Sequence, residues 1–332
     1  MQLHSGANSI QLLWLTALAV FTVSQSNAAA TTNMPSANNG LFVAVGDNNN
    51  VAYSSDGITW HESHLPPGDT NSYFDRSIVY GKNMFIALPS TSERLPARAV
   101  YSSDGINWRP TNALPRTNVS YGPAIYGNGV FVALSSSDGS IIKSSDGINW
   151  THTNRLPLSA LWQMISYGNG VFIVMQNTFD EGLYSSDGIT WHRIPSPFSP
   201  DSPQVWHSMT FGDGKFIMLT PNAVACSADG VTWKISKTSL NSSWFSVAYG
   251  NGVFVAVSDG KSSAYSGDGI TWHESRNLPH AGQWRITYGK GVFVAVTYGT
   301  NSAYSYDGIT WHPSNGIHSP SSRRSVTYGE IR

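Results

Sequence analysis

One phrase of the sequence returns at a nearly constant interval along the chain. The string Ser-x-Asp-Gly-x-x-Trp occurs seven times, with a mean spacing of about 42 residues. Its aspartates are Asp56, Asp104, Asp146, Asp187, Asp229, Asp268 and Asp307. A chain with this periodicity is built from one supersecondary unit that is repeated and stacked, because a single unit cannot bury its apolar face alone.

A second phrase keeps the same period and defines the unit. Strings such as Tyr-Gly-Asn-Gly-Val-Phe place Asn-Gly between two apolar runs, and Asp-Gly in the first phrase does the same. Both dipeptides favour two-residue hairpin turns, so each unit is predicted to hold four antiparallel strands, A to D. In the sixth unit these strands are predicted at 246–249, 253–257, 263–266 and 270–273. Seven units of four short strands predict an all-β fold, a seven-bladed β-propeller.

The two ends of the repeat region are complementary. The sequence at 39–45 is a strand B without a strand A before it, whereas 325–329 is a strand A without a strand B after it. We therefore expect the C-terminal strand to join the three N-terminal strands in one blade and close the ring.

The N-terminal region is predicted to be a secretory signal peptide over residues 1–30. An apolar run from Ile10 to Val23 precedes small residues at Ala28 to Ala30, and it is shorter than a membrane span needs. Residues 31–38 are then a short linker and residues 39–332 the propeller. The predicted location is secreted or periplasmic, without stable membrane insertion after cleavage of the signal.

Composition excludes some partners. The formal net charge is −1 and only 12% of the residues are charged. Nucleic-acid-binding proteins typically carry an excess of basic residues, which this composition lacks. The single cysteine, Cys226, cannot form an internal disulfide, and no motif indicates a cofactor or a metal site.

The phrase Ser-x-Asp-Gly-x-x-Trp resembles the Asp-box of bacterial neuraminidase repeats, with one residue fewer between Asp and Gly. The repeat region as a whole is similar to the sialidase-like and photosystem II assembly factor-like propeller superfamily. This resemblance implies that the seven aspartates form structural turns, away from any catalytic face. Sialidases themselves have six blades and three arginines that bind a substrate carboxylate, so seven repeats argue against a direct match.

Binding is predicted on the face opposite the glycine-rich turns. We call the face of the A–B and C–D hairpins the turn face, and the face of the B–C and D–A loops the loop face. The repeats diverge in the loop-face segments, where binding residues usually lie. Residues five positions before the end of each strand A are Asp75, Tyr121, Trp162, Trp206, Trp244, Gln283 and Arg323. Those four positions before it are Arg76, Gly122, Gln163, His207, Phe245, Trp284 and Arg324.

Two groups in these sets are candidate ligand contacts. Aromatic faces beside amides suit a sugar, although the same rings would also serve as packing between blades. Arginines that start strand A in neighbouring blades suit a carboxylate or a sulfate, although they could equally be solvated. The predicted ligand-binding residues are Tyr121, Trp162, Trp206, Trp244, Trp284, Arg76, Arg285 and Arg324.

Three functions are compatible with this sequence. The preferred hypothesis is an exported, non-enzymatic propeller that recognises a glycan or a protein through its loop face. The alternative is a sialidase-like glycoside hydrolase or lyase that uses the arginines and Asp75 on an anionic glycan. A third is an assembly or adhesion module that recognises protein through the long D–A loops.

Overall fold

The protein is described from a computed structural model. The chain divides into two units, Met1–Met34 and Pro35–Arg332, and all the described residues belong to the second. They are residues 40–46, 49–66, 77–89, 98–115, 119–135, 139–153, 162–176, 182–195, 207–275, 277–318 and 324–331.

Seven antiparallel sheets account for the regular structure. Blade 1 holds β1 (Gly40–Gly46), β2 (Asn50–Ser54) and β3 (His61–His64), and blade 2 holds β4 (Ile78–Gly81), β5 (Met84–Ala87), β6 (Arg98–Ser102) and β7 (Arg109–Ala113). Blade 3 holds β8 (Tyr121–Gly127), β9 (Val130–Ser135), β10 (Ile141–Ser144) and β11 (Thr151–His152), and blade 4 holds β12 (Trp162–Gly168), β13 (Val171–Gln176), β14 (Gly182–Ser185) and β15 (His192–Ile194). Blade 5 holds β16 (Met209–Gly212), β17 (Lys215–Leu219), β18 (Ala223–Ser227) and β19 (Lys234–Lys237), and blade 6 holds β20 (Trp244–Gly250), β21 (Val253–Gly260), β22 (Ser263–Ser266) and β23 (His273–Ser275). A short β24 (Gly282–Gln283) precedes blade 7, which holds β25 (Arg285–Gly289), β26 (Val292–Val296), β27 (Ser302–Ser305) and β28 (His312–Pro313), and β29 (Arg324–Glu330) returns to blade 1.

The ring is closed by the last strand, as the sequence predicts. Strand β29 pairs antiparallel with β1, from Gly40 opposite Glu330 to Gly46 opposite Arg324, so blade 1 has the order β29-β1-β2-β3. The innermost strands contact one another in a complete circle, in which β29 lies between β25 of blade 7 and β4 of blade 2. The prediction of a seven-bladed propeller is confirmed.

The A–B hairpins are the two-residue turns predicted from Asn-Gly. In blade 3, Asn128 and Gly129 have φ values of 45° and 78°, and the same pair of positive angles recurs at Asn251 and Gly252. Type I′ turns need positive φ at both central residues, which glycine adopts freely and asparagine tolerates.

A glycine of each inner strand packs closely against an aromatic ring of the next blade. The residue that ends strand A before its glycine is Tyr80, Tyr126, Tyr167, Phe211, Tyr249, Tyr288 or Tyr328. Each ring covers the corresponding glycine of the preceding blade, so a β-carbon at Gly289 would lie 2.0 Å from the ring of Tyr328. At the closure, a β-carbon at Gly329 would lie 2.2 Å from the ring of Tyr80. Only glycine fits at these positions.

The Asp-Gly segments form wider turns than the sequence predicts. In each, one carboxylate oxygen accepts the backbone N–H groups two and three residues later, at 2.7–2.9 Å. The preceding serine hydroxyl donates to the same oxygen at 2.8–3.0 Å. Because these N–H groups donate to the aspartate carboxylate, they cannot form hydrogen bonds with a neighbouring strand. The outer strand of blade 6 therefore begins at His273 and not at Ile270, and the expected two-residue C–D turn is wrong.

The core consists of seven clusters that lie between successive blades. The cluster of blades 1 and 2, for example, joins Leu41, Val43 and Val45 to Phe85 and to Trp108. The tryptophan of each Ser-x-Asp-Gly-x-x-Trp phrase belongs to a cluster that includes residues from the second strand of the preceding blade. The repeated phrase therefore fixes the spacing of the blades.

The aspartate turns predict acid sensitivity of the fold. The backbone N–H of Thr190 lowers the pKa of Asp187 to about 2, and that of Thr232 lowers the pKa of Asp229 to about 2. A folded-state pKa below the unfolded one stabilises the fold above the unfolded pKa, and this contribution is lost as the pH falls through the folded one. We expect the urea midpoint to fall between about pH 5 and about pH 2. The Asp187→Asn, Asp229→Asn double variant should show a shallower fall, and an identical fall would contradict the assignment.

Candidate functional site

Three inner strands carry a β-bulge where they reach the loop face. The pairing register shifts between Tyr121 and Ala124, between Trp162 and Met164, and between Trp244 and Ser246. A bulge adds one residue to a strand and redirects the side chains around it. It lets two consecutive residues take different environments, one within the interface between blades and one at the loop face.

The predicted aromatic residues that the structure describes are buried, three of them at the bulges and Trp284 directly before β25. Tyr121, Trp162 and Trp284 are 0% exposed and Trp244 is 3% exposed. Each packs against the preceding blade: Trp162, for example, lies with Val132, Leu134 and Ile141 of blade 3. Trp206 lies outside the described residues. The structure therefore places the four described rings between blades, and their contact with a ligand remains a prediction.

The predicted arginine sector is described only in part. Arg285 starts β25, and its side chain is half-buried at the loop face. Arg324 starts β29, in the neighbouring blade. Arg76 and Arg323 lie outside the described residues, as does Asp75, the carboxyl group of the enzymatic alternative. Convergence of the arginines remains a prediction.

The described residues of the loop face contain one continuous polar and aromatic group. The imidazole of His207, before β16, stacks on the ring of Phe245 of β20, with centroids 5.4 Å apart and planes at 26°. The guanidinium carbon of Arg285 lies 4.2 Å from the centroid of the Phe245 ring. Its Nη1 donates to the Phe245 carbonyl oxygen at 3.0 Å. Three successive blades thus each contribute one side chain to a stack.

Two further residues complete this group, and we call the five together the mouth cluster: His207, Phe245, Asp259, Gln283 and Arg285. Asp259 of β21 pairs in register with Gln283 of β24, whose amide nitrogen lies 3.4 Å from its carboxylate. Both are exposed, and β24 ties the segment before blade 7 to blade 6.

Opposing charges surround the imidazole of the mouth cluster. Burial lowers the pKa of His207, the positive charge of Arg285 lowers it further, and the negative charge of Asp259 opposes this change. Together these effects hold the pKa of His207 below its ordinary value, which favours the uncharged imidazole. The cluster offers a planar cation, an aromatic face and a neutral hydrogen-bonding ring.

The four described histidines that begin outer strands do not come together in one site. His61, His192, His273 and His312 begin outer strands of different blades, and each ring lies 5.2–5.4 Å from a tyrosine ring of its own blade. Among the residues that the structure describes, no group of three or more His, Cys, Asp or Glu could hold a metal ion. Cys226 is half-buried in β18, and burial raises the pKa of its thiol.

Part of this cluster was predictable from the sequence. Counting four residues back from the end of strand A does reach His207 and Phe245, but the count cannot show that the bulge in β20 buries Trp244 and leaves Phe245 half-buried. Asp259 was missed because it lies at the end of an apolar strand. Tyr298 was also missed: it is 47% exposed in the B–C loop of blade 7, and its hydroxyl lies 3.4 Å from the Ala281 carbonyl oxygen.

Comparison with known proteins supports the fold. No protein-family model matches the sequence, and no curated protein sequence matches it. Similar solved structures include virginiamycin B lyase from Staphylococcus aureus, with 12% identity and a TM-score of 0.63 over 78% of this chain and 92% of that chain. YCF48 bound to a D1 peptide shows 15% identity and a TM-score of 0.60 over 80% and 90%. Apo AztD from Citrobacter koseri shows 11% identity and 0.61 over 88% and 98%.

These neighbours are β-propellers, and at such low identity they show the fold alone. The resemblance to sialidases and to the Asp-box remains a resemblance of sequence phrases. In the described part of the chain, no helix has the length and apolarity needed to cross a membrane.

Proposed function

We propose that this protein is an exported, non-enzymatic propeller that binds a protein segment through its loop face. The observation that carries this proposal is the stack of His207, Phe245 and Arg285 across three blades. Phe245 and Arg285 lie on inner strands of a closed ring and His207 lies two residues before one, so the binding surface is organised before the ligand arrives. Such preorganisation reduces the entropy that a binding site loses on association.

The character of the described loop face favours a peptide over a sugar. A sugar ring needs open aromatic faces on which to stack, and the four described rings predicted for this role are 0–3% exposed. The mouth cluster instead offers a guanidinium, a carboxylate, an amide and an imidazole around one half-buried phenyl ring. A mixed set of charges beside a single aromatic residue suits an extended peptide that carries acidic and amide groups.

One structural neighbour gives this proposal further support, and a second keeps the enzymatic alternative open. One solved structure is YCF48 bound to a D1 peptide, which shows that a propeller of similar fold binds a peptide. Another is a lyase, so the fold also accommodates catalysis. We favour binding because the mouth cluster lies among the described residues, whereas Asp75, the carboxyl group of the glycosidase alternative, lies outside them.

A combined array of acidic peptides, neutral peptides and glycans tests this function. The protein without its predicted signal should bind acidic peptides selectively. Phe245→Ala and Arg285→Gln should each weaken this binding by about tenfold or more, since residues at the centre of an interface often contribute more than 1 kcal/mol. The affinity for the best peptide is then measured by calorimetry.

Two matched variants control for nonspecific effects. Arg109→Gln removes an exposed arginine from an outer strand, and Ile270→Ala removes a side chain that is 41% exposed on the turn face. Both should bind as the unaltered protein does. Selective binding of glycans without peptides would overturn the peptide proposal, and cleavage of a bound glycan would establish the enzymatic alternative.

A further inference from the structure

Three of the A–B hairpins on the turn face contain the same string, Tyr-Gly-Asn-Gly-Val-Phe. Its asparagines are Asn128, Asn169 and Asn251, whereas the Asn-Gly pairs at Asn39 and Asn315 have other neighbours. The three turns share one conformation, since these asparagines have φ values of 45°, 48° and 50°. Each asparagine and the glycine after it are exposed. Local sequence, backbone conformation and exposure therefore do not distinguish the three sites.

Hydrogen bonds of the side-chain amides do distinguish them. The amide nitrogen of Asn128 donates to the carbonyl oxygen of Ser186 in blade 4, at 3.0 Å. The amide nitrogen of Asn169 donates to two carbonyl oxygens of blade 5, that of Gly214 at 3.1 Å and that of Ala228 at 2.9 Å. Both side chains are therefore held against the next blade.

The side chain of Asn251 is not held in this way. Among the residues that the structure describes, none forms a hydrogen bond with its amide. The carbonyl group at the equivalent place of blade 7 belongs to Tyr306, whose side chain is 55% exposed. The other six phrases have serine, alanine or glycine at this place. Of the three sites with the same sequence, Asn251 alone thus has a free amide in the described structure.

The glycine after each asparagine offers a backbone nitrogen as a nucleophile. The hydrogen bond of a two-residue turn uses the N–H of the residue after the turn, so the N–H of the glycine has no partner in the turn itself. A β-carbon added at Gly129, Gly170 or Gly252 would have no neighbour within 4 Å, which shows that each turn is open. The three sites therefore differ only in the amide that this nitrogen would attack.

We propose that Asn251 is a deamidation site, and that in the folded protein it reacts faster than Asn128 and Asn169. The backbone nitrogen of Gly252 loses its proton to a solvent base and attacks Cγ of Asn251, so an N–Cγ bond forms. The Cγ–Nδ2 bond breaks, and Nδ2 takes up a proton from water and leaves as ammonia. A water molecule then opens the cyclic imide and gives aspartate or isoaspartate.

The difference in rate follows from the hydrogen bonds. Ring closure requires the asparagine side chain to turn towards the next backbone nitrogen, so a bonded amide must first break its hydrogen bonds. The net strength of one such bond slows this step about two- to tenfold. We therefore expect Asn251 to react about two- to tenfold faster than Asn128. The difference should be larger relative to Asn169, whose amide forms two bonds.

The two products should affect the fold differently. Asp213 occupies the equivalent position in the A–B turn of blade 5, with a φ of 47°, so aspartate is compatible with this turn. Isoaspartate adds a carbon atom to the backbone between β20 and β21, and the two-residue turn no longer fits the register of these strands. Asn251→Asp should therefore keep the thermal midpoint of the unaltered protein, whereas protein that has accumulated isoaspartate at position 251 should unfold at a lower temperature.

Peptide mapping by mass spectrometry during incubation in heavy-oxygen water at mildly alkaline pH tests the proposal. In denaturant, the three sites should react at equal rates, because their neighbours in the sequence are the same. In the folded protein, Asn251 should react about two- to tenfold faster than Asn128. Equal rates in the folded protein, or a faster reaction at Asn128 or Asn169, would overturn the proposal. The mouth cluster lies on the opposite face, so this result does not depend on peptide binding.

Discussion

Trp162→Ala is expected to lower the free energy of unfolding by about 3–5 kcal/mol, because a fully buried large side chain leaves a cavity between two blades. Trp162 is 0% exposed and packs with Leu134 and Ile141 of blade 3 and with Phe172 of its own blade. Urea unfolding followed by intrinsic fluorescence and circular dichroism measures the change.

Two comparisons give this prediction its control. The indole nitrogen of Trp162 has no hydrogen-bond partner among the described residues, so its contribution is apolar packing. Trp162→Phe should therefore lower the free energy of unfolding by only about 1–2 kcal/mol, much less than Trp162→Ala. Phe245→Ala, at a half-buried position, should cost about 1 kcal/mol or less. If Trp162→Ala were as stable as the unaltered protein and lost ligand binding, the ring would be a ligand contact and not an interface residue.

Deletion of residues 324–332 is expected to abolish cooperative folding or to cost more than about 4 kcal/mol. Without β29, blade 1 loses its inner strand and β1 exposes an unpaired edge, although Phe42, Val43 and Ala44 of β1 are 0% exposed in the closed ring. Such an apolar edge promotes aggregation. Thermal unfolding and size-exclusion chromatography measure the effect.

A circular permutant provides the matched control for this deletion. Joining Gly329 directly to Asn39 produces the sequence Tyr-Gly-Asn-Gly-Leu-Phe at the junction. This sequence matches the A–B hairpin phrase of other blades. Gly329 pairs with Leu41 as Gly250 pairs with Val253, so the two-residue turn fits the observed register. The permutant that begins at Arg324 and ends at His318 should fold cooperatively. If it unfolds like the deletion variant, closure by β29 is not what stabilises the ring.

The features of the fold that repeat were predictable from the sequence. The Asn-Gly turns depend on two adjacent residues, and seven copies of the same phrase agree on the same strands. The closure by β29 followed from the two incomplete units at the ends of the repeat region. Local sequence patterns were therefore enough to predict the structure wherever every blade contains the same pattern.

The features that distinguish individual blades were not predictable in this way. The bulge in β20 buries Trp244, which shares a cluster with Leu219 and Val224 of the preceding blade, and leaves Phe245 half-buried, an arrangement that no local pattern encodes. The outer strand of blade 6 starts three residues later than predicted, because the carboxylate of Asp268 accepts hydrogen bonds from two backbone N–H groups. The candidate site lies among these blade-specific features, and sequence reasoning therefore reached only some of its residues.

The central claim is that ligand binds to the mouth cluster on the loop face, and amide hydrogen exchange with the best array peptide tests it most directly. Bound peptide should slow exchange at residues 207–209, 244–246 and 282–286, while the turn-face hairpins at 128–129, 169–170 and 251–252 keep their rates. Protection confined to those hairpins, with unchanged exchange around Phe245 and Arg285, would contradict the account.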